Sequence, residues 1–276
     1  MAGPYRQKLV VFAFTAGTIL VGTQPVFAEF QIQEAGIEKG EKEVEYRGAY
    51  HWGVPAITGN NENANDIVHS HELELSYGLT DWWLLQFTAG FEQPLGEDLR
   101  SSDVEFETEF ALIKREGDGL ALSFQGGYEK AINHGGAEGD PDQFGFGPIV
   151  ELVSGPWLVT LNPLFTKQVG RFADQEGLGF DYGAECDFPG RWGVGVEMFG
   201  EIESLVNSGS FNDQVHSIGP TLFFHPSKQP AAEAASPDHD DEDAGKFDLS
   251  VNVGVQFGLT DATSDTALKF QGSLSF

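Results

Sequence analysis

The sequence predicts an all-β protein, a single antiparallel up-and-down transmembrane β-barrel of about 12 strands. Three observations predict it. Apolar and polar residues alternate with a period of two through segment after segment, which is the repeat of a strand with one greasy and one wet side. Longer loops and short turns follow one another between these segments through the first nine, as hairpins do when they join strands at the two ends of a barrel. Trp82, Trp83, Trp157 and Trp192 each come just after a short turn, which sets them at one level, as an aromatic girdle at a membrane surface requires.

Residues 1–28 read as a secretory signal. Arg6 and Lys8 form a positive front, Leu9 to Val21 an apolar middle, and Val26-Phe27-Ala28 a small-residue cleavage site before Glu29. The apolar run is short for a retained anchor and ends at Gln24-Pro25. No apolar run of spanning length follows it, so a helical membrane protein is excluded. A closed membrane barrel and a soluble extracytoplasmic β-sandwich remain. Alternation hides the greasy side of a barrel, so the slightly negative mean hydropathy does not separate the two.

Residues 29–42 have no clear period and read as a lead-in, tucked at the barrel mouth, to a barrel over 43–276. In the first strand Val44, Tyr46, Tyr50 and Trp52 alternate with Glu45, Arg47, Ala49 and His51, and an Asn-rich loop follows. The second sets Leu73, Leu75 and Tyr77 against Glu72, Glu74 and Ser76, and turns at Gly78-Leu79-Thr80-Asp81. The third carries Trp83, Leu85, Phe87, Ala89 and Phe91 outward. In the fourth, Val104, Phe106, Thr108, Phe110 and Leu112 alternate with Glu105, Glu107 and Glu109. Leu120, Leu122, Phe124 and Tyr128 mark the fifth, and Phe144, Phe146, Val150 and Leu152 the sixth.

The seventh strand runs from Trp157, with Pro163 predicting a bulge or local distortion. The eighth opposes Phe180, Tyr182, Cys186 and Phe188 to Asp181, Gly183, Glu185 and Asp187. The ninth opposes Trp192, Val194, Val196 and Met198 to Glu197, Phe199 and Glu201. Ile218, Leu222 and Phe224 mark the tenth, and Phe247 to Phe257 the eleventh. Between them, 226–245 is rich in Ala, Pro and acids and reads as a disordered insertion. It falls where a short turn is due, so either an insertion lengthened that turn or the strand count slips by one between the seventh and tenth strands. The last strand sets Leu268, Phe270, Leu274 and Phe276 against Lys269, Gln271, Ser273 and Ser275.

The chain holds 43 acids against 15 bases, a formal net charge of -28. Such a chain makes a poor partner for nucleic acid, and cations are its natural counter-species. Parity puts many of the acids on the wet face: Glu45, Glu72, Glu74, Glu105, Glu107, Glu109, Glu129, Glu151, Asp181, Glu185, Glu197 and Glu201, joined by Glu43, Asp187 and Asp248. Only Arg47 and Lys269 answer them there. Carboxylates on the lipid face would cost up to a few kcal/mol each, which also favours the inward assignment. The pattern predicts a hydrated, cation-preferring lumen. The plainer alternative is that the acids keep the interior wet or pair with Arg47, Arg191 and Lys269.

His69 and His71 share one side of a strand, His216 falls near the same rim, and Asp238 to Asp243 reads D-H-D-D-E-D around His239. Solvated rim histidines and a solvated acidic linker account for these residues, and no metal site or cofactor is expected. Ser70 faces away from both neighbouring histidines and no G-x-S-x-G is present, so no enzymatic activity is expected. The lone Cys186 lies on the apolar parity and reads as a small buried hydrophobe.

The closing strand that stops on Phe276, the Y-G-L-T-D turn at Tyr77 to Asp81 and the Trp83, Trp157 and Trp192 girdle resemble Gram-negative outer-membrane β-barrel proteins. In layout the mature chain is similar to uncharacterised proteobacterial barrels and, more distantly, to phenol-degradation-pathway (MetA-like) barrel transporters. That resemblance implies residence in the outer membrane among its lipids, a periplasmic lead-in, and recruitment of the barrel assembly machinery through the strand ending at Phe276. The function it implies is a passive channel for small solutes or small cations. The alternative is a closed structural or binding barrel that engages metal ions or a periplasmic or extracellular partner without transport.

Overall fold

A computed structural model describes residues 30–55, 67–132, 139–173, 177–188, 190–226 and 247–276. The twelve strands are β1 (Lys42–Trp52), β2 (Ile67–Thr80), β3 (Trp83–Pro94), β4 (Arg100–Ile113), β5 (Gly119–Ala131) and β6 (Asp142–Ser154), then β7 (Trp157–Val169), β8 (Gly179–Phe188), β9 (Trp192–Ile202), β10 (Val215–Phe224), β11 (Asp248–Gly258) and β12 (Thr266–Ser275). Each pairs antiparallel with its neighbours in sequence, and β1 pairs with β12 to close the barrel. Val44 opposes Leu274 across that seam. Beyond it the backbones of Lys42 and Phe276 exchange two hydrogen bonds, so the last residue finishes the closure. Full closure leaves no strand edge unpaired, which is the condition for a sheet to cross lipid.

The faces distribute as a membrane barrel demands. Phe87, Phe106, Leu112, Phe124, Phe144 and Val194 point outward and are exposed, as are many similar side chains along every strand. Inside, buried polar side chains outnumber buried hydrophobic ones by more than two to one among the described residues. A sandwich would reverse both, because its strands must meet over a dry core. The barrel is closed and antiparallel with an apolar outer wall, the arrangement of barrels that cross membranes with their strands.

The strand count holds through the region between the seventh and tenth strands. The β10–β11 connection therefore lies at the end where the chain enters β1 and leaves β12, called here the terminal end. The turns 81–82, 114–118, 155–156 and 190–191 belong to the same end, and the connections 53–66, 95–99, 132–141, 170–178, 203–214 and 259–265 belong to the opposite, loop end. Residues 227–246 lie outside the described residues, as do 1–29 and with them the signal segment. At Pro163 the expected bulge or local distortion takes the form of a local distortion and not a bulge. The β6–β7 ladder is interrupted between the pairs Phe146–Phe165 and Val150–Leu161, yet resumes in the same register. Pro148 and Pro163 both fall in the gap, and neither has an N–H to give. Register shifts occur elsewhere, between Ala89 and Phe91 and between Ala111 and Ile113.

Candidate functional site

The barrel interior is the candidate site. Its charges fall into two groups. On one side, strand pairing sets Arg47 opposite Glu72 and Glu45 opposite Glu74. The Arg47 guanidinium is buried among them: Nη1 donates to Glu45 at 2.8 Å and to Glu74 at 2.9 Å, and Nη2 pairs with Glu72. Gln271 and Gln86 donate to Glu45 and Glu74 in turn. Lys269 reaches Glu197 at 2.6 Å, lies 5.2 Å over the Phe199 ring, and shares Glu197 with Thr221 and Gln256. These ion pairs and bonds give partners to six charged side chains, five of them buried and Glu72 half-buried.

In the other group, Glu105, Glu107, Glu109 and Glu129 form no ion pair among the described residues. Glu105, Glu107, Glu109 and Glu129, on β4 and β5, are each buried with one carboxylate oxygen that no hydrogen bond reaches. Register puts Glu105 opposite Glu129, Asp181 opposite Glu201 and Glu185 opposite Glu197. Like charges set directly opposite repel, so this side depends on water, protons or mobile cations. Glu151 is answered by Arg115 at 3.5 Å, from the turn after β4. Sequence reasoning missed that pair because Arg115 lies outside the alternating run.

Residues 30–41, which the sequence assigns to the lead-in, run inside the barrel. Phe30 stacks on His51 with centroids 5.6 Å apart and meets Phe199 edge-on at 5.2 Å. Below it, Asn162 clasps the backbone of Gln33: the Gln33 N–H donates to Oδ1 at 2.7 Å and Nδ2 donates to the Gln33 carbonyl at 2.9 Å. The Ala35 N–H donates to Glu151, and Gln31 donates to Glu74. Ile37 is 3% exposed, and its carbonyl accepts from Lys114. At the terminal end Gly40 and Glu41 bond the backbone of Gly78. Gly183 of β8 makes room for this path, since a Cβ there would come 2.8 Å from Ile32 Cδ1 and 2.9 Å from the Gln31 carbonyl. The signal for it in the sequence is faint: Phe30-Gln31-Ile32-Gln33 alternates, but over too few residues to show a period.

The threaded segment divides the lumen. At the terminal end lies a cavity of about 290 Å³ among Glu34, Glu43, Glu45, Glu185, Asp187 and Asp248. Toward the loop end lies a smaller chamber of about 100 Å³, walled by Phe30, Phe199 and Leu164 and reached by Glu107, Asp181 and Glu201.

On the outer wall, Trp82, Trp83, Trp157 and Trp192 all lie at the terminal end, with Trp192 64% exposed. The Trp83 indole N–H donates to Thr108. Trp157 packs edge-on to Phe188, and Trp192 packs on Phe224. Phe276 is exposed and stands beside Phe247 and Lys42. Cys186 is exposed on this wall rather than buried. In a barrel the apolar parity is the outer one, so that parity delivers a thiol to lipid. His69 and His71 also point outward, into a ring cluster with Tyr46, Tyr50 and Phe270 that covers Gly48. Across the barrel, Tyr182 and His216 cover Gly200 in the same way, with a Tyr–His hydrogen bond of 3.0 Å against 2.9 Å between Tyr46 and His71. His239 lies outside the described residues.

No family model matches the sequence, and no curated protein matches it. Solved structures do match its shape. An outer membrane channel from Pseudomonas putida F1 is similar at a TM-score of 0.55 and 11% identity, covering 91% of this chain and 100% of that one. The NanC porin is similar at 0.48 and 10% identity over 84% of this chain and 98% of that one. The KdgM porin, solved in complex with disordered oligogalacturonate, is similar at 0.46 and 9% identity over 85% of this chain and 98% of that one. At these identities the first likeness speaks to fold alone.

Proposed function

We propose that the protein is an outer-membrane channel that passes small solutes passively and prefers cations. One observation carries this reading: on the inward face of the described strands, acids crowd β4, β5, β8 and β9, while Arg47 and Lys269 are the cations that answer there. Rings of carboxylate in a narrow hydrated path raise the local cation concentration and exclude anions. In this account the chain is exported by the signal at 1–28, assembled through the strand that ends at Phe276, and seated in lipid by the Trp83, Trp157 and Trp192 girdle.

The test is a planar bilayer under a KCl gradient. A reversal potential of the sign set by K⁺ permeation supports the channel, and an anion-selective current or silence at every voltage removes it. A second reading is favoured by the threaded segment: a closed barrel that binds rather than transports. Silence that persists after the segment is deleted supports that reading over the first.

A further inference from the structure

We infer that the loop-end chamber is a binding subsite for a compact organic cation, an ammonium group carried on a small apolar or aromatic body. This deepens the channel reading and rests on it only in placing the chamber on the path of a permeant. The walls are apolar and aromatic: Phe30 and Phe199 meet edge-on, with Leu164 beside them. Such a surface welcomes a hydrocarbon body, and the Lys269 ammonium 5.2 Å over the Phe199 ring already shows a positive charge held against one of these rings.

A buried carboxylate borders the chamber. Glu107 lines it, is 5% exposed, and leaves Oε2 with no hydrogen-bond partner. A buried oxygen stripped of both water and donor is costly, and an ammonium N–H answers that cost with a charge-assisted bond. Room for Glu107 is built into the neighbouring strand. Gly127 stands where a Cβ would come 2.8 Å from the Glu107 Cγ. Asp181 and Glu201 also line the chamber, and none of the residues lining it among those described is basic. Gln33 adds a second unanswered group, its Nε2 donor, suited to a hydroxyl or carbonyl on the same guest. A hydrated inorganic cation has no hydrocarbon body to set against the apolar walls, and a neutral aromatic would leave Glu107 unanswered.

The experiment is isothermal titration of the detergent-solubilised barrel with benzylammonium chloride and, separately, with benzyl alcohol. Benzylammonium is expected to bind at least about tenfold more tightly than the alcohol. Glu107→Gln is expected to erase that difference. Phe30→Ala, which lies off the barrel wall and leaves heat-modifiable migration intact, is expected to weaken benzylammonium several-fold. Equal affinity for the two probes, no binding of either, or unchanged binding in both variants overturns the subsite. The KCl reversal potential of the same preparation separates the two claims. Cation preference without benzylammonium binding sinks the subsite alone, and binding without cation preference sinks the channel alone.

Discussion

The wall of the barrel and the segment threaded through it are held by different kinds of bond. Every strand of the wall is locked on both sides by backbone ladders, and closure between β1 and β12 leaves none of them an edge. In lipid no water competes for those bonds, so the wall opens only as a whole. Residues 30–37 make no ladder. Their backbone is caught by side chains such as Asn162, Glu151, Lys114 and Lys269, in a lumen where water can replace each contact. A net gain of about 1 kcal/mol for a typical hydrogen bond makes such an attachment reversible. The difference assigns permanence to the wall and movement to the segment.

Deleting residues 30–37 tests that division most directly and carries the largest expected effect. Bilayer recordings should turn from brief, small cation-selective openings to sustained larger current, while heat-modifiable migration on a gel stays unchanged. Loss of the folded band would show that the segment belongs to the wall after all. Arg47→Met attacks the wall instead. It strips one guanidinium from three carboxylates, and breaking a buried ion pair costs ~3–5 kcal/mol. The urea midpoint of the barrel in vesicles should fall sharply. A fall with no gain of open-channel current locates the damage in the wall.

Gly183→Val is gentler and acts on the contact between the two. Its side chain would occupy the space of Ile32 and the Gln31 carbonyl. Overpacking of this kind costs ~1–3 kcal/mol, enough to raise the undocked population about tenfold. The recordings should show frequent openings, and a double variant with the 30–37 deletion should gain nothing further.

The two regions also differed in how plainly the sequence announced them. The wall repeats one rule in segment after segment, apolar out and polar in, so Phe106 between Glu105 and Glu107 is informative by itself. Twelve strands, a closed antiparallel sheet and the level of Trp157 and Trp192 follow from counting. The same rule misleads where the habits of soluble proteins intrude: Cys186 looks buried because apolar parity elsewhere means a core. The segment obeys no repeat. Its partners come from β1, β2, β6, β7, β9, β12 and the turn after β4, and are brought together only by closure, so Asn162 cannot be tied to Gln33 from a separation of 129 residues. The free oxygens of Glu105 and Glu129 were hidden for a related reason. Parity tells which residues face inward but not which inward cation reaches which acid, and Arg47 spends its bonds on β1 and β2.

The smallest effect concerns pH at the hinge where the segment leaves the barrel. Glu41 lies just before β1, and its carbonyl accepts from the Gly78 N–H. Burial, and then the charge of Glu38, raises its carboxyl above the ordinary 4.5, against the lowering bond from Ser275. A docked state that holds the proton more tightly than the free chain is favoured by acid. That contribution is complete below the ordinary value and is lost as pH rises through the raised one. Open probability should therefore increase as pH climbs across that window. Other carboxylates titrate nearby, so the informative quantity is the difference between parent and Glu41→Gln. The variant keeps the size of the side chain without the charge, so its open probability should stay low and its profile should flatten. An unaltered profile would place the pH response among the lumen acids and leave the hinge without a part in docking.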